Sequence, residues 1–156
     1  VIDAQDRDTL PLFGDGAAAV VVMKQSTARQ RGLKPLARIV AQASHAQAPE
    51  WFTTAPVGAI QKVLQRAGWT AGDVDLWEVN EAFAGVAMAA MRDIGIDHAK
   101  LNVNGGACAL GHPVGATGAR IVTTLLHALA RRGGKRGVAS LCIGGGEATA
   151  IAVEML

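Results

Sequence analysis

The sequence lacks tyrosine altogether and has only three phenylalanines and three tryptophans among its 156 residues. Charge is also sparse, and the formal net charge of +2 is too small to indicate a nucleic-acid or membrane-surface partner. No apolar run reaches the roughly 20 residues that a membrane-spanning helix needs. The first residues do not show the basic region and apolar run of a secretory signal. We therefore expect neither a nucleic acid nor a membrane as partner.

Cysteine is nearly absent, since Cys108 and Cys142 are the only two. Without a secretory signal, two cysteines predict reduced thiols in a cytoplasmic protein and not a disulfide framework. A zinc site made of Cys108, His112 and Cys142 would lack the paired spacing of zinc ligands, so no metal is predicted.

Half of the residues are hydrophobic, and most of these are small. Short apolar runs alternate with stretches of helical periodicity, which predicts one α/β domain with a mixed sheet over 17–156. Residues 1–16 are expected to form an irregular lead-in. Strands joined through helices should run parallel, whereas the tight turn at Gly144–Gly146 makes the last strand antiparallel to its neighbour. The five expected strands are 17–23, 36–44, 74–79, 137–143 and 147–155.

The helix expected at 81–94 is apolar nearly all round. A helix of this kind is typically buried on more than one side. The pattern therefore predicts an apolar face that another chain or segment covers.

Polar residues are predicted to meet at the carboxyl edge of the sheet, where ligands bind in open α/β sheets. Asn80 ends one strand, and Cys142 ends another just before three glycines. His112 lies in a glycine-rich loop, residues 102–120, that leads into a long helix. The glycines after Cys142 present backbone N–H groups able to bind an oxyanion, which adds Gly144 as a candidate.

Each candidate also has a simpler interpretation. Asn80 could cap the following helix, Cys142 could be a small core residue, and His112 could be an ordinary polar residue. The remaining candidates fall into two groups: Cys108, His45, His98 and His127 are interpreted as structural, and Glu81 and Glu147 are alternative carboxylates with a simpler place at helix ends and turns.

Three segments together give a more specific signal. They are Asn-Glu-Ala-Phe-Ala from Asn80, Gly-His-Pro around His112, and Cys-Ile-Gly-Gly-Gly from Cys142. In this order they resemble the C-terminal half of the thiolase family, from about Gly16 to the last residue. The resemblance implies a three-layer α/β/α half with a five-stranded mixed sheet, whose partner half lies across a pseudo-twofold axis.

The resemblance also implies a role for each candidate. His112 would be the base for a nucleophilic cysteine, and Asn80 would hold a water that binds the thioester oxygen together with His112. Cys142 would be the acid and base at the substrate carbon, and the Gly144 N–H would belong to a second oxyanion hole. Two proton-transfer groups suit a reaction in which one proton leaves a thiol and another leaves carbon.

A coenzyme A thioester would be the substrate, in acetyl-CoA condensation or in 3-ketoacyl-CoA thiolysis, with no permanently bound cofactor. No cysteine precedes Cys108, so the nucleophile is expected in a missing N-terminal half or a companion chain. A homo-oligomer is also implied. The alternative is a non-catalytic module that keeps the fold and binds a partner chain.

Overall fold

Residues 14–156, the part of the chain that the computed structural model describes, form one β-sheet flanked by α-helices. Most of the expected lead-in, residues 1–13, lies outside this part. Short 3₁₀-helices lie at Pro49–Thr54, Ala71–Asp73, His98–Lys100 and Val114–Ala116. In chain order the α-helices and strands are α1 (Gln25–Gln30), β1 (Ala37–Ala46), α2 (Ala55–Ala67), β2 (Leu76–Val79), α3 (Ala84–Ile94), α4 (Ala107–Leu110), α5 (Thr117–Arg132), β3 (Arg136–Cys142) and β4 (Glu147–Met155).

The sheet is mixed, in the order β1-β4-β3-β2. β2 pairs parallel with β3, and β4 runs antiparallel to both β3 and β1. β1, β2 and β3 therefore point the same way, and their carboxyl ends lie at one edge, as the sequence predicts. The turn between β3 and β4 closes with a hydrogen bond from the Gly146 N–H to the Ile143 carbonyl, 3.2 Å long. A side chain at Gly146 would collide with the Gln47 backbone.

The sheet of the described part has four strands, so the prediction of five is wrong. Residues 17–23 have no regular secondary structure, and Val21 is 86% exposed. A continuous apolar run is typical of a strand buried on both faces. Burial of that kind needs a second layer and a neighbouring strand, and residues 14–156 supply neither to this run. The run is apolar, but residues 14–156 leave most of its side chains exposed.

Helices cover both faces of the sheet. α2 and α3 pack on one face against a core that includes Trp77, Val79 and Val138. α5 packs on the other face, where Leu125 and neighbouring apolar residues contact Leu76. Because side chains alternate along a strand, β2 presents Trp77 and Val79 to one layer and Leu76 and Glu78 to the other. The three-layer α/β/α arrangement is therefore present in the described residues.

One expectation about the helices is wrong, because the helix expected at 81–94 begins at Ala84, with Phe83 in the N-cap position. Val86, Ala87 and Ala90 are buried on one face, whereas Met88 is 66% exposed, so residues 14–156 bury α3 on one side. The covering of its other side by another chain or segment stays a prediction. Residues 107–110 of the glycine-rich loop form α4, which periodicity cannot reveal in a segment of one turn.

The free edge of β2 is closed by residues 101–102. The Asn102 N–H bonds to the Trp77 carbonyl at 2.9 Å, and the side-chain amide of Asn102 bonds to both the N–H and the carbonyl of Val79 at 2.9 Å. The same amide donates to a Glu81 carboxylate oxygen at 2.8 Å. Asn102 adopts φ +46°, a left-handed conformation that asparagine tolerates better than most residues. One side chain thus replaces a neighbouring strand at the point where β2 ends.

We predict that Asn102→Ala lowers the free energy of unfolding by about 2–4 kcal/mol, because it leaves two backbone groups of Val79 without their partner. Asn104→Ala is the matched control, since it removes an exposed asparagine two residues further on and should unfold in urea like the wild type. Asn102→Asp should be at least as unstable as the alanine variant at pH 7, because it sets a carboxylate against Glu81 and the Val79 carbonyl. Equal stability of Asn102→Ala and the wild type would contradict this role.

Candidate active site

Asn80 and His112 meet at the carboxyl end of β2. The Asn80 N–H bonds to the Ser140 carbonyl of β3 at 2.9 Å, which fixes the backbone just beyond the strand. Asn80 is 1% exposed, and its side-chain nitrogen lies 3.4 Å from His112 Nε2. α3 begins only at Ala84, so Asn80 is not a helix cap. The interpretation of Asn80 as a cap of the following helix is therefore wrong.

Thr117 holds the other side of the imidazole. Its hydroxyl lies 2.9 Å from His112 Nδ1 and 3.3 Å from the Pro113 carbonyl. The carbonyl can only accept, so the Thr117 hydroxyl donates to it and can accept from an Nδ1–H. The Asn80 amide then donates to Nε2. These contacts select a neutral ring that carries its proton on Nδ1 and its lone pair on Nε2.

The charge state of His112 agrees with these contacts. Burial lowers the pKa of His112 below its usual value, and the positive charge of Arg120 lowers it further. The ring is therefore neutral at pH 7. A neutral imidazole can act as a base, whereas an imidazolium cannot.

One buried acceptor at the site remains without a partner among the described residues, the Asn80 side-chain oxygen. A buried polar atom without a hydrogen bond costs free energy, typically about 1–3 kcal/mol. Such an atom beside a catalytic candidate marks a place where a water or a substrate group is bound.

Glu81 attaches the glycine-rich loop to the end of β2. Its carboxylate accepts from the Asn102 amide at 2.8 Å and from the Cys108 N–H, in the first turn of α4, at 3.0 Å. A side chain at Gly106 would overlap the Glu81 carboxylate. Glu81 is thus a structural anchor for the loop that carries His112. Cys108 likewise serves the loop through its backbone, and burial raises the pKa of its thiol.

Cys142 ends β3 next to the strand that leads to Asn80. It is half-buried and packs against the core under α2 and α3, so its interpretation as a core residue remains open. Burial raises the pKa of the Cys142 thiol, which keeps it protonated at neutral pH. Gly144 follows in the exposed turn between β3 and β4.

A buried charge pair lies beside this site that the sequence pattern did not bring out. Glu78 is 2% exposed, and its carboxylate lies 3.6 Å from the Arg120 guanidinium. Burial raises the pKa of Glu78 to about 7, against the opposing effect of Arg120 and with a further rise from Glu81. The sequence does indicate this pair, since Glu78 is the one charged residue of the strand Leu76–Val79.

The remaining candidates lie elsewhere or serve the fold. His45 is half-buried and contacts the Gln47 side chain, while His98 and His127 are exposed. Within residues 14–156, no group of three or more His, Cys, Asp and Glu side chains could hold a metal ion. No helix among the same residues is long and apolar enough to cross a membrane.

Comparison with known proteins identifies the family. A family model described as "Thiolase, C-terminal domain" matches residues 33–155. The chain belongs to the thiolase family. A second family model, 3-oxoacyl-[acyl-carrier-protein (ACP)] synthase III, matches residues 1–37.

Acetyl-CoA acetyltransferases resemble this thiolase domain in sequence and in fold. The enzyme of Allochromatium vinosum is 55% identical over 144 residues, which is 92% of this chain and 36% of the relative. The cytosolic enzyme of Mus musculus is 53% identical over 142 residues, or 91% of this chain and 36% of the relative. The crystal structure of the Bacillus anthracis enzyme has a TM-score of 0.85 at 39% identity and covers 99% of this chain and 43% of that one. The thiolase domain thus spans just over a third of the curated relatives' length.

We predict an unusual pH dependence of stability from Glu78. Its pKa in the folded state is raised from 4.5 to about 7, so the folded state binds more protons than the unfolded state between these values. Its contribution to stability is complete below about pH 4.5 and is lost as the pH rises through 7, at most about 3 kcal/mol. Glu78→Gln should remove this loss and be more stable than the wild type at pH 8.

The measurement is urea unfolding at a series of pH values from 4.5 to 8, with wild type and variant compared at each pH. At pH 4.5 the two proteins should be about equally stable, because the wild-type carboxyl is then neutral as well. A Glu78→Gln variant that is less stable than the wild type at pH 8 would mean that the charged pair with Arg120 stabilises the fold.

Proposed function

We propose that this thiolase domain supplies the proton-transfer groups and oxyanion donors of an acyltransferase that acts on coenzyme A thioesters. The nucleophilic cysteine comes from a segment or companion chain outside these 156 residues. The observation that carries the proposal is the chain of contacts from Asn80 through the His112 ring to Thr117. It gives a neutral imidazole with an oriented lone pair at the edge of the sheet where ligands bind.

His112 acts first as a base. Its Nε2 lone pair, once the long 3.4 Å contact with the Asn80 amide gives way, accepts the proton of the nucleophilic thiol. The resulting thiolate attacks the acyl carbon of the thioester and displaces the coenzyme A thiolate. Once protonated, Nε2–H is a hydrogen-bond donor. The buried Asn80 oxygen, which has no partner among residues 14–156, can hold a water as a second donor. The two donors then stabilise the negative charge that develops on the thioester oxygen when the second substrate is enolised.

Cys142 transfers a proton to and from the substrate carbon. Its raised pKa supports this role, because a thiol that stays protonated at neutral pH is available to protonate the enolate that leaves in thiolysis. In the condensation direction the thiol first gives its proton to the departing coenzyme A thiolate, and the Cys142 thiolate left by that step removes the α-proton of the second substrate. The Gly144 N–H, in the exposed turn two residues later, stabilises the oxyanion of the acyl-enzyme step.

The substrate class is the coenzyme A thioester, and the reaction needs no permanently bound cofactor. The names of the relatives, acetyl-CoA acetyltransferases, support an acetyl group as the transferred unit. We also propose a cytoplasmic location, which is supported by the mouse relative's description as cytosolic.

We predict that the chain alone does not turn over acetoacetyl-coenzyme A, because it carries no residue for the nucleophile's role. Mixed with the N-terminal part of the Allochromatium vinosum relative, it should become active. Removing the imidazole by His112→Ala or the thiol by Cys142→Ala should then lower kcat by a factor on the order of 10²–10⁴. The assay follows thioester cleavage with free coenzyme A as the acceptor.

Cys108→Ala is the matched control, since it removes the other half-buried thiol and should leave kcat nearly unchanged. Full activity of the isolated chain would contradict the proposal that the nucleophilic cysteine lies outside these 156 residues. Full activity of the Cys142→Ala mixture would assign Cys142 to the core. An inactive mixture that forms a stable complex would favour the alternative, a non-catalytic module that binds a partner chain.

An exposed apolar groove supports the proposal of a partner half. It is about 910 Å³ in volume and lies between α5 and the extended run of residues 19–23. Val21 is 86% exposed and Val22 67%, and Val122 and Leu126 of α5 line the opposite side. Isolated domains rarely leave such a surface uncovered. We propose that the half with the nucleophile covers it, and that without this half two copies of the chain associate there.

We predict that the isolated chain self-associates at high concentration, measured by sedimentation equilibrium. The double variant Val21→Ser and Val22→Ser should raise the dissociation constant at least about tenfold, because each valine contributes on the order of 1 kcal/mol or more on burial. Gln65→Ser, on the exposed side of α2 across the sheet, is the control. A chain that stays monomeric at every concentration would contradict the proposed role of the groove.

A further inference from the structure

Glu78 occupies a position of β2 where a buried strand usually carries an aliphatic residue, and it pairs with Arg120 of α5. All four residues of β2 are buried. Transfer of a carboxylate and a guanidinium out of water is unfavourable for each ion, and their attraction often fails to offset that cost. The Glu78 Oε1 atom has no hydrogen-bond partner among the described residues, so the pair is not optimised for stability. Its presence calls for another explanation.

The pair lies directly beside the catalytic contacts. Glu78 and Asn80 are two residues apart on β2 and its extension, so their side chains leave the same face. Thr117 and Arg120 are three residues apart on α5 and share one side of the helix. Asn80 and Thr117 contact opposite nitrogens of His112. Two parallel connections therefore join β2 to α5, one through the His112 ring and the other through Glu78 and Arg120.

We propose that Glu78 and Arg120 are a positioning pair, which sets α5 against β2 so that His112 stays oriented between Asn80 and Thr117. The catalytic consequence rests on the proposed function, but the positioning itself does not. The pair acts through His112 and touches no reacting atom. An apolar pair could fill the same volume, but it would lack the attraction that draws Arg120 of α5 toward Glu78 of β2 across 3.6 Å.

The charged and titratable groups around the pair come from few elements. Glu78 lies on β2 and Glu81 just after it, Arg120 lies on α5, and His112 lies in the loop before α5. β3, the neighbour of β2, places the uncharged Ala139 beside Glu78. Arg120 is therefore the positive charge that acts on His112 from this side. Its removal should change both the orientation and the protonation of the ring.

The experiment follows the His112 ring by NMR in the 156-residue chain. The Cε1–H resonance gives the pKa, and the ring ¹⁵N shifts give the tautomer. Arg120→Met keeps length and apolar packing but removes the charge, and Arg120→Lys keeps the charge but not the planar guanidinium. Arg131→Met, an exposed arginine on the same helix, is the control.

For Arg120→Met we expect a higher pKa of His112 and a loss of the single Nδ1–H tautomer. For Arg120→Lys we expect the pKa of His112 to stay lowered, as in the wild type, while both neutral tautomers are present. For Arg131→Met we expect neither the pKa nor the tautomer of His112 to change. An unchanged pKa and tautomer in Arg120→Met, in a chain whose amide spectrum is native, would overturn the proposal. If Arg120→Met does not fold, Arg120→Lys decides: a wild-type tautomer in that variant would overturn it.

A second measurement uses the assembled, active enzyme. Arg120→Met should lower kcat about 10- to 100-fold with little change in KM, since a small displacement of a catalytic group costs rate and not binding. Arg120→Lys should recover part of the loss. Equal kcat in wild type and Arg120→Met would overturn the proposal. An assembled enzyme without activity would contradict the proposed function, whereas the NMR result would still decide the positioning role.

Discussion

The hydrogen bonds between the Asn102 side chain and the Val79 backbone are the constraint on which the candidate site depends. β2 is an edge strand in the described sheet, and its last residue would otherwise present unpaired backbone groups. With that edge closed, Asn80 and Glu81 leave the sheet in fixed directions. Asn80 contacts His112, and Glu81 binds the loop that delivers the same histidine. The site is thus assembled from the end of one strand outward.

Buried polar groups concentrate around this point. Among the described residues, the buried polar or charged ones are Glu78, Asn80, Thr117 and Ser140. They lie on β2 or directly after it, on β3, and at the start of α5. Elsewhere the core is aliphatic or small, apart from Trp77. Three of the four buried side-chain atoms without a hydrogen bond in residues 14–156 belong to Glu78, Asn80 and Arg120, and the fourth is His45 Nδ1 on β1. Unpaired buried polar atoms lower stability, and their concentration in one region is typical of functional sites.

The sequence predicted the strands at 36–44, 137–143 and 147–155 closely, because their apolar patterns and glycine turns are local signals. It also predicted which strand ends carry Asn80 and Cys142. It could not predict that 17–23 stays unpaired, since the same apolar run reads as a strand whether its covering layer is present or not. The contacts of Thr117, Asn102 and Arg120 join residues 5 to 42 positions apart. No local pattern encodes such pairings. Only the charged Glu78 within an apolar strand indicated that a buried polar contact was present.

The exposed run at 17–23 has a consequence for handling the chain. Ala-Ala-Ala-Val-Val-Val-Met is uncharged, free of proline and rich in β-branched residues, the composition of a segment that adds to cross-β aggregates. Asp15 and Lys24 flank it as charged gatekeepers of the kind that slow such stacking. The same seven residues thus make the chain prone to fibril formation whenever their groove stands empty, and a solubilising mutation belongs at this run and not in the core.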